Sequence, residues 1–196
     1  MNTNCVRISC AALCRIAIDG RFLLEINKNR GDVLTPIGGA LEFHEEARSV
    51  LEGLGACFEK GDDLRLTLPA GNVDAFRTWF ERKEHRETSP LRELREELIE
   101  EHRVLPSWPG DLAELVFLRR VEREEKTSRN DRIGTLTRYF YETFEVSLPM
   151  ELEQACCAAA TLPASRLRLL TRAEILSGVT FEGIKIANTS RLVVES

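Results

Sequence analysis

Apolar and polar positions along the chain alternate between strand-like and helix-like spacing, with clear turn signals between. From Val6 to Ile18 apolar residues run in alternating and continuous stretches that fit a core strand. Asp19-Gly20 is a hairpin signal, and Arg21–Ile26 (RFLLEI) reads as the returning strand. A polar loop, Asn27–Asp32, leads to Val33–Ile37, which runs into Gly38-Gly39; Ala40–Phe43 follows as a short strand. From His44 to Phe80 the texture changes. Glu45–Leu54 reads as a helix, Asp63–Leu68 alternates as a strand, Pro69–Asn72 is a turn, and Val73–Trp79 is helical with Phe76 and Phe80 four apart. Trp79 and Phe80 are read as packing residues.

Downstream, Pro106 and Pro109-Gly110 break the chain before a strand at Leu112–Val121. Glu122–Gly134 is a charged loop in this reading, and Thr135–Val146 (TLTRYFYETFEV) is the clearest strand. Pro149–Ala160 is helix or loop, and Arg166–Leu170 a strand. Thr171 caps a helix ending at Ser177-Gly178, and a last helix spans about Glu182–Val194. Tyr139 and Tyr141 alternate on their strand and are assigned to packing.

The densest chemistry lies between Glu84 and Glu101. Ser89 fits an N-cap and Pro90 the first helical position. Leu91, Leu94 and Leu98 form an apolar stripe, with Glu93, Glu96 and Glu97 placed on the opposite side with converging carboxylates. Glu93–Glu97, Glu96–Glu100 and Glu97–Glu101 are like-charge i,i+4 pairs, each costing roughly 0.2–0.5 kcal/mol on an exposed helix. Arg92, Arg95 and Arg103 offset part of that. A hard divalent cation, which takes oxygen ligands, turns such crowding into a site.

The 196 residues suffice for one large domain or a core domain with an insertion. A net charge of −5 argues against a nucleic-acid binder, while leaving room for a phosphorylated substrate met through a metal ion. Six cysteines lack zinc spacing and read as free thiols in a reducing cytosol. His44, His85 and His102 share no ligand spacing. No apolar run reaches the length of a membrane span, so a cytoplasmic protein is expected.

From Glu84 through Glu97 the chain matches E-x7-R-E-U-x-E-E, where U is a bulky aliphatic, and so resembles the Nudix hydrolases. The upstream G-x5-E half is displaced: Gly39 with five intervening residues reaches Glu45, and the match resumes only at Glu84. Glu87 rivals Glu84 as the partner of Arg92, and Glu42 rivals Glu45 upstream. Ile99 and Glu100 stand where the family has glycine and an aliphatic. The split box, PIGGALEF…RETSPLRELREEL, resembles the SMODS-associated NUDIX branch, found in bacterial antiviral gene clusters.

The resemblance implies an α+β fold, an α/β/α sandwich with a mixed sheet flanked by helices. It implies one domain over 1–196, with an insertion at 44–80 inside the box. Glu93, Glu96, Glu97 and the Gly38 carbonyl would hold Mg²⁺ or Mn²⁺. Glu96 and Glu97 are the catalytic carboxylates, and Arg92 braces the loop against Glu84. Gly39, Arg138 and Glu125 are substrate-binding candidates, and Glu122, Glu124 and Glu125 candidate bases. The implied activity is metal-dependent pyrophosphohydrolysis of a nucleotide, a purine triphosphate such as ATP or ITP first, with ADP-ribose and nucleotide sugars as other substrates. A module that senses a nucleotide without cleaving it is the alternative. A homodimer is implied, and neither nucleic acid nor membrane is expected as a partner.

Overall fold

A computed structural model describes residues 4–109 and 113–195. The first strand, β1 (Cys5–Arg15), is buried along most of its length, as its alternating and continuous apolar stretches require, and it takes Arg7 and Ser9 inside with them. It is followed by β2 (Ala17–Ile18) and β3 (Arg21–Asn27), joined by the expected hairpin turn. Asp19 and Gly20 both carry positive φ, 48° and 74°, the backbone that a two-residue primed turn needs. Next come β4 (Val33–Pro36), α1 (Glu45–Gly53), β5 (Cys57–Phe58), β6 (Arg65–Pro69) and α2 (Val73–Arg82). Ala40, Glu42 and Phe43 make isolated bridges instead of the short strand read from sequence.

Helix α3 (Leu91–Arg95) continues without a break into a wider π-helical segment, Glu96–Glu101, in which the His102 amide reaches back five residues to the Glu97 carbonyl at 2.8 Å. Pro90, not Ser89, takes the N-cap position. Strand β7 (Glu114–Lys126) absorbs Glu122, Glu124 and Glu125, which the sequence reading had placed in a loop. Gly110 and Leu112, at a chain break and a strand start in that reading, lie outside the described residues. Then follow β8 (Leu136–Ser147), α4 (Met150–Ala160), β9 (Leu167–Leu170) and α5 (Arg172–Ser177). Helix α5 carries a complete capping box, with Thr171 Oγ accepting the Glu174 N–H and Glu174 accepting the Thr171 N–H; it stops at left-handed Gly178. The expected last helix reduces to a 3₁₀ segment, Asn188–Val193.

The chain divides into two units. One comprises Met1–Ala12, Gly39–Ser89 and Arg120–Glu142; the other comprises Leu13–Gly38, Pro90–Arg119 and Thr143–Ser196. The first holds β5, β6 and the 5–12 part of β1, which is antiparallel to β6; the sheet order is β5, β6, β1, β8, β7. Phe76 and Phe80 of α2 lie 5.6 and 5.5 Å from the Phe140 ring of β8, and Trp79 lies 5.6 Å from Phe76, so Trp79 and Phe80, both read as packing residues, are buried and do pack. Burying such rings is a large apolar contribution, about 1.5–3 kcal/mol each. In the second unit β3 is central, antiparallel to β2, β4 and β9, and α4 packs on β9. A parallel bridge between Leu34 and Ile186 makes the pairing mixed. The fold is of the expected α+β, Nudix-like class, a mixed sheet with helices around it.

Candidate active site

Helix geometry sorts the three glutamates of the acidic helix. At roughly 100° per residue, Glu97 falls about 60° from Leu94, at the margin of the apolar stripe, with Glu93 and then Glu96 farther round. Their exposures follow that order: Glu97 is 8% exposed, the Glu93 side chain 14% and the Glu96 side chain 42%. Glu97 therefore does not share the solvent face on which the sequence reading put all three. It lies inward with Leu94 and Leu98.

A buried carboxyl needs a hydrogen-bond partner, and Glu97 has one. The Gly38 N–H donates to its Oε2 at 2.8 Å. That contact joins the glycine arm to the acidic helix, 59 positions apart in sequence. Gly38 sits at φ 127°, a region that favours glycine. It meets the helix through its amide; the carbonyl had been the expected ligand.

Burial pushes the Glu97 carboxyl well above its ordinary range, and the nearby charge of Glu25, then Glu93 and Glu101, pushes it further, against the opposing Gly38 bond. The buried Cys14 thiol is raised too, chiefly by burial and also by Glu97 and Glu93.

Glu25 was missed in the sequence. Only 3% exposed, it is a carboxylate inside the apolar strand RFLLEIN, and that incongruity was the available signal. Its Oε2 lies 2.8 Å from His102 Nε2 and accepts from Arg166 Nη2 at 3.2 Å. Arg166 is held in turn by the Ile26 carbonyl, at 2.9 Å from Nε. His102, dismissed for want of ligand spacing, is thus the buried partner of a carboxylate 77 positions away.

Arg92 lies against its own helix, 2.9 Å from Glu93 Oε1 and 3.1 Å from both Glu96 oxygens. Glu84 is exposed beside the Lys83–His85 turn, and the Glu87 carboxylate accepts the Glu42 N–H at 2.9 Å. Gly38, Arg92, Glu93, Glu96 and Glu97 belong to the second unit, and Gly39, Glu125 and Arg138 to the first. There, Arg138 pairs with Glu124 at 3.1 Å and Glu122 at 3.6 Å, and the Tyr141 hydroxyl reaches Glu125 at 3.5 Å. Tyr139 and Tyr141 are buried and stacked at 5.2 Å, in keeping with packing roles.

Over residues 5–194 the chain matches the SMODS-associated NUDIX domain. It belongs to that family. No curated protein matches it. Membership supports nucleotide-related hydrolase chemistry in general terms, and Nudix enzymes typically use divalent metals. The donor chemistry here fits such a cation: hard carboxylate oxygens, one of them buried and crowded by like charge. Among the described residues, however, no three Asp, Glu, His or Cys side chains are arranged as a ligand set. Glu93 and Glu96 both lean on Arg92. Also among those residues, no helix is long and apolar enough to cross a membrane.

Proposed function

We propose that the protein hydrolyses the diphosphate linkage of a nucleotide in a Mg²⁺- or Mn²⁺-dependent reaction, with a purine nucleoside triphosphate such as ATP or ITP favoured and a monophosphate and pyrophosphate as products. The family's name and the split box make bacterial antiviral defence the proposed setting. One observation carries the reading: the Gly38 amide meets the Glu97 carboxylate, so the two halves of the box are held together at a buried acid whose charge needs a counter-charge.

Glu97 and Glu93 would hold the cation, joined by Glu96 when its carboxylate leaves Arg92. When bound, the metal would neutralise the diphosphate and lower the pKa of an attacking water. Arg92 keeps Glu93 and Glu96 in place by ion pairing. The Gly38 N–H fixes the Glu97 rotamer. Glu25 holds His102 and Arg166 and contributes the negative field that favours a cation at Glu97. Arg138 and Glu125 remain proposed contacts to the nucleotide, together with the Gly39 backbone.

The deciding experiment is product chromatography of nucleoside triphosphates, ADP-ribose and nucleotide sugars with Mg²⁺. Glu97→Gln is expected to lower turnover by more than the roughly 10–100-fold that loss of an outer partner costs. Undiminished turnover in both Glu96→Gln and Glu97→Gln would sink the proposal.

A second reading is a module that binds its nucleotide without cleaving it. The closure of both Glu93 and Glu96 onto Arg92 favours it, since two of the three box acids already have a cation. Calorimetry giving saturable Mg²⁺-nucleotide binding, with no product after prolonged incubation, would select it.

A further inference from the structure

His102 stands outside the box, yet it is tied to the acidic helix and to the sheet of the second unit at once. Its main-chain N–H donates to the Glu97 carbonyl at 2.8 Å, the bond that spans the wide turn. Its side chain is only 5% exposed and places Nε2 2.8 Å from Glu25 Oε2. Arg166 donates to that same oxygen, which marks the oxygen as an acceptor and the ring N–H as the donor. Glu101, the neighbour of His102, lies 3.7 Å from Arg166 Nη1 and adds a second tie from this end of the helix.

Glu25 is a firm anchor. It sits on β3, opposite Thr35 of β4 on one side and Leu167 of β9 on the other. From Thr35 the chain of β4 runs through Pro36 and Ile37 to Gly38, whose N–H holds the Glu97 carboxyl. Two neighbouring strands therefore hold residue 97 at its two ends. The exit of β4 takes the side chain, and β3, through Glu25 and His102, takes the main chain. A π-helical turn is rare and needs support from outside the helix. The Glu25 contact to His102 supplies such support at the residue that closes the turn.

We infer that His102 is a positioning residue for the box: held by Glu25, it keeps the Glu96–Glu101 turn wide and the Glu97 carboxyl against the Gly38 N–H. Its effect on turnover rests on the hydrolase reading. Its effect on the Gly38 contact does not.

The test compares His102→Leu with His102→Gln in the full chain. Leucine fills the buried space without a donor, whereas glutamine can place an amide N–H where Nε2 stands. Amide hydrogen exchange is followed by NMR without metal at Gly38 and at a reference, Leu23, whose N–H donates to the Ile16 carbonyl at 3.0 Å in the same unit. His102→Leu should lower protection at Gly38 by about tenfold or more, the scale of one lost hydrogen bond to a charged group. Leu23 should be unchanged, and His102→Gln should restore Gly38. With Mg²⁺-ATP and Mg²⁺-ITP, kcat should fall roughly 10–100-fold in His102→Leu, as for a lost outer partner. KM should stay as in the wild type, and His102→Gln should recover most of the turnover.

Unchanged protection of Gly38 in His102→Leu overturns the inference. So does an equal fall at Gly38 and Leu23, which is ordinary destabilisation, or a glutamine variant no better than the leucine one. A wild type that turns over and a His102→Leu variant with the same kcat overturn it as well. A wild type without turnover, combined with a selective loss at Gly38 in His102→Leu, would remove the hydrolase reading and leave the positioning role standing.

Discussion

Each unit buries charge, and the two do so in opposite ways. In the first, Arg86 and Glu142 are both fully buried and doubly bonded, at 2.9 and 3.2 Å. Arg86 also donates to the Phe80 and Glu87 carbonyls and lies 3.8 Å from the Phe80 ring, while Arg120 adds a second cation to Glu142 at 3.2 Å. Every charge there has a counter-charge. In the second unit Glu97 is almost as deep, yet its hydrogen-bond partner among the described residues is a neutral amide, and the charges that act on it are other carboxylates. The first arrangement is closed and serves the fold. The second keeps a surplus of negative charge, as a site awaiting a cation does.

The comparison breaks most visibly at Arg86. Arg86→Met strands Glu142 in the interior with only Arg120, and is expected to cost about 3–5 kcal/mol by urea denaturation. Replacing both partners, Arg86→Met with Glu142→Leu, should recover most of that loss, since no uncompensated charge is left. If the single variant matches the wild type, the buried pair is not a stability element.

A smaller effect, of opposite sign, is expected from filling the second region. Mg²⁺ at a hundred times its Kd should stabilise the wild type by about 2.7 kcal/mol. Glu97→Gln should lose most of the accompanying rise in Tm. An identical rise in both proteins would place cation binding elsewhere.

Without metal, Glu97 should also set a pH dependence. Its folded pKa lies above the ordinary 4.5, chiefly through burial. Between the two values the folded chain holds a proton that the unfolded chain has released, so stability falls as pH rises through that window. Glu97→Gln cannot ionise. Its melting temperature relative to the wild type should climb as pH is raised from about 4.5, and a constant difference would mean that Glu97 is not protonated when folded.

The least effect belongs to a solvated pair. Arg77, facing Glu122 at 2.8 Å near the surface, should contribute about 0.2–1 kcal/mol, and the cost of Arg77→Ala should fade in high salt. A loss as large as that at Arg86 would erase the contrast between buried and exposed charge.

Much of the fold was legible because local rules governed it. Asp19-Gly20 could adopt a primed turn, and Thr171 with Glu174 could close a capping box, whatever the rest of the chain did. Glu122–Lys126 misled because its charges read as loop, whereas in β7 they meet Arg77 and Arg138 from neighbouring elements. Within the candidate site, Arg92, Glu93, Glu96 and Glu97 were legible from spacing. The depth of Glu97 was not, because it depends on which flank of the helix is covered. The partnership of Glu25 with His102 could not be read from spacing at all, being made entirely by tertiary contact.

The π-helical stretch at Glu96–Glu101 carries one more consequence, in the phase of the chain. A wide turn holds one residue more than an α-turn, so everything after it is rotated by about 100° from where a regular helix would put it. Deleting a single residue, Ile99 or Glu100, would return the helix to its common pitch without touching a box acid. His102 would then swing away from Glu25. Placement of that histidine is therefore a matter of counting, and insertions or deletions of one residue should be far less tolerated here than substitutions.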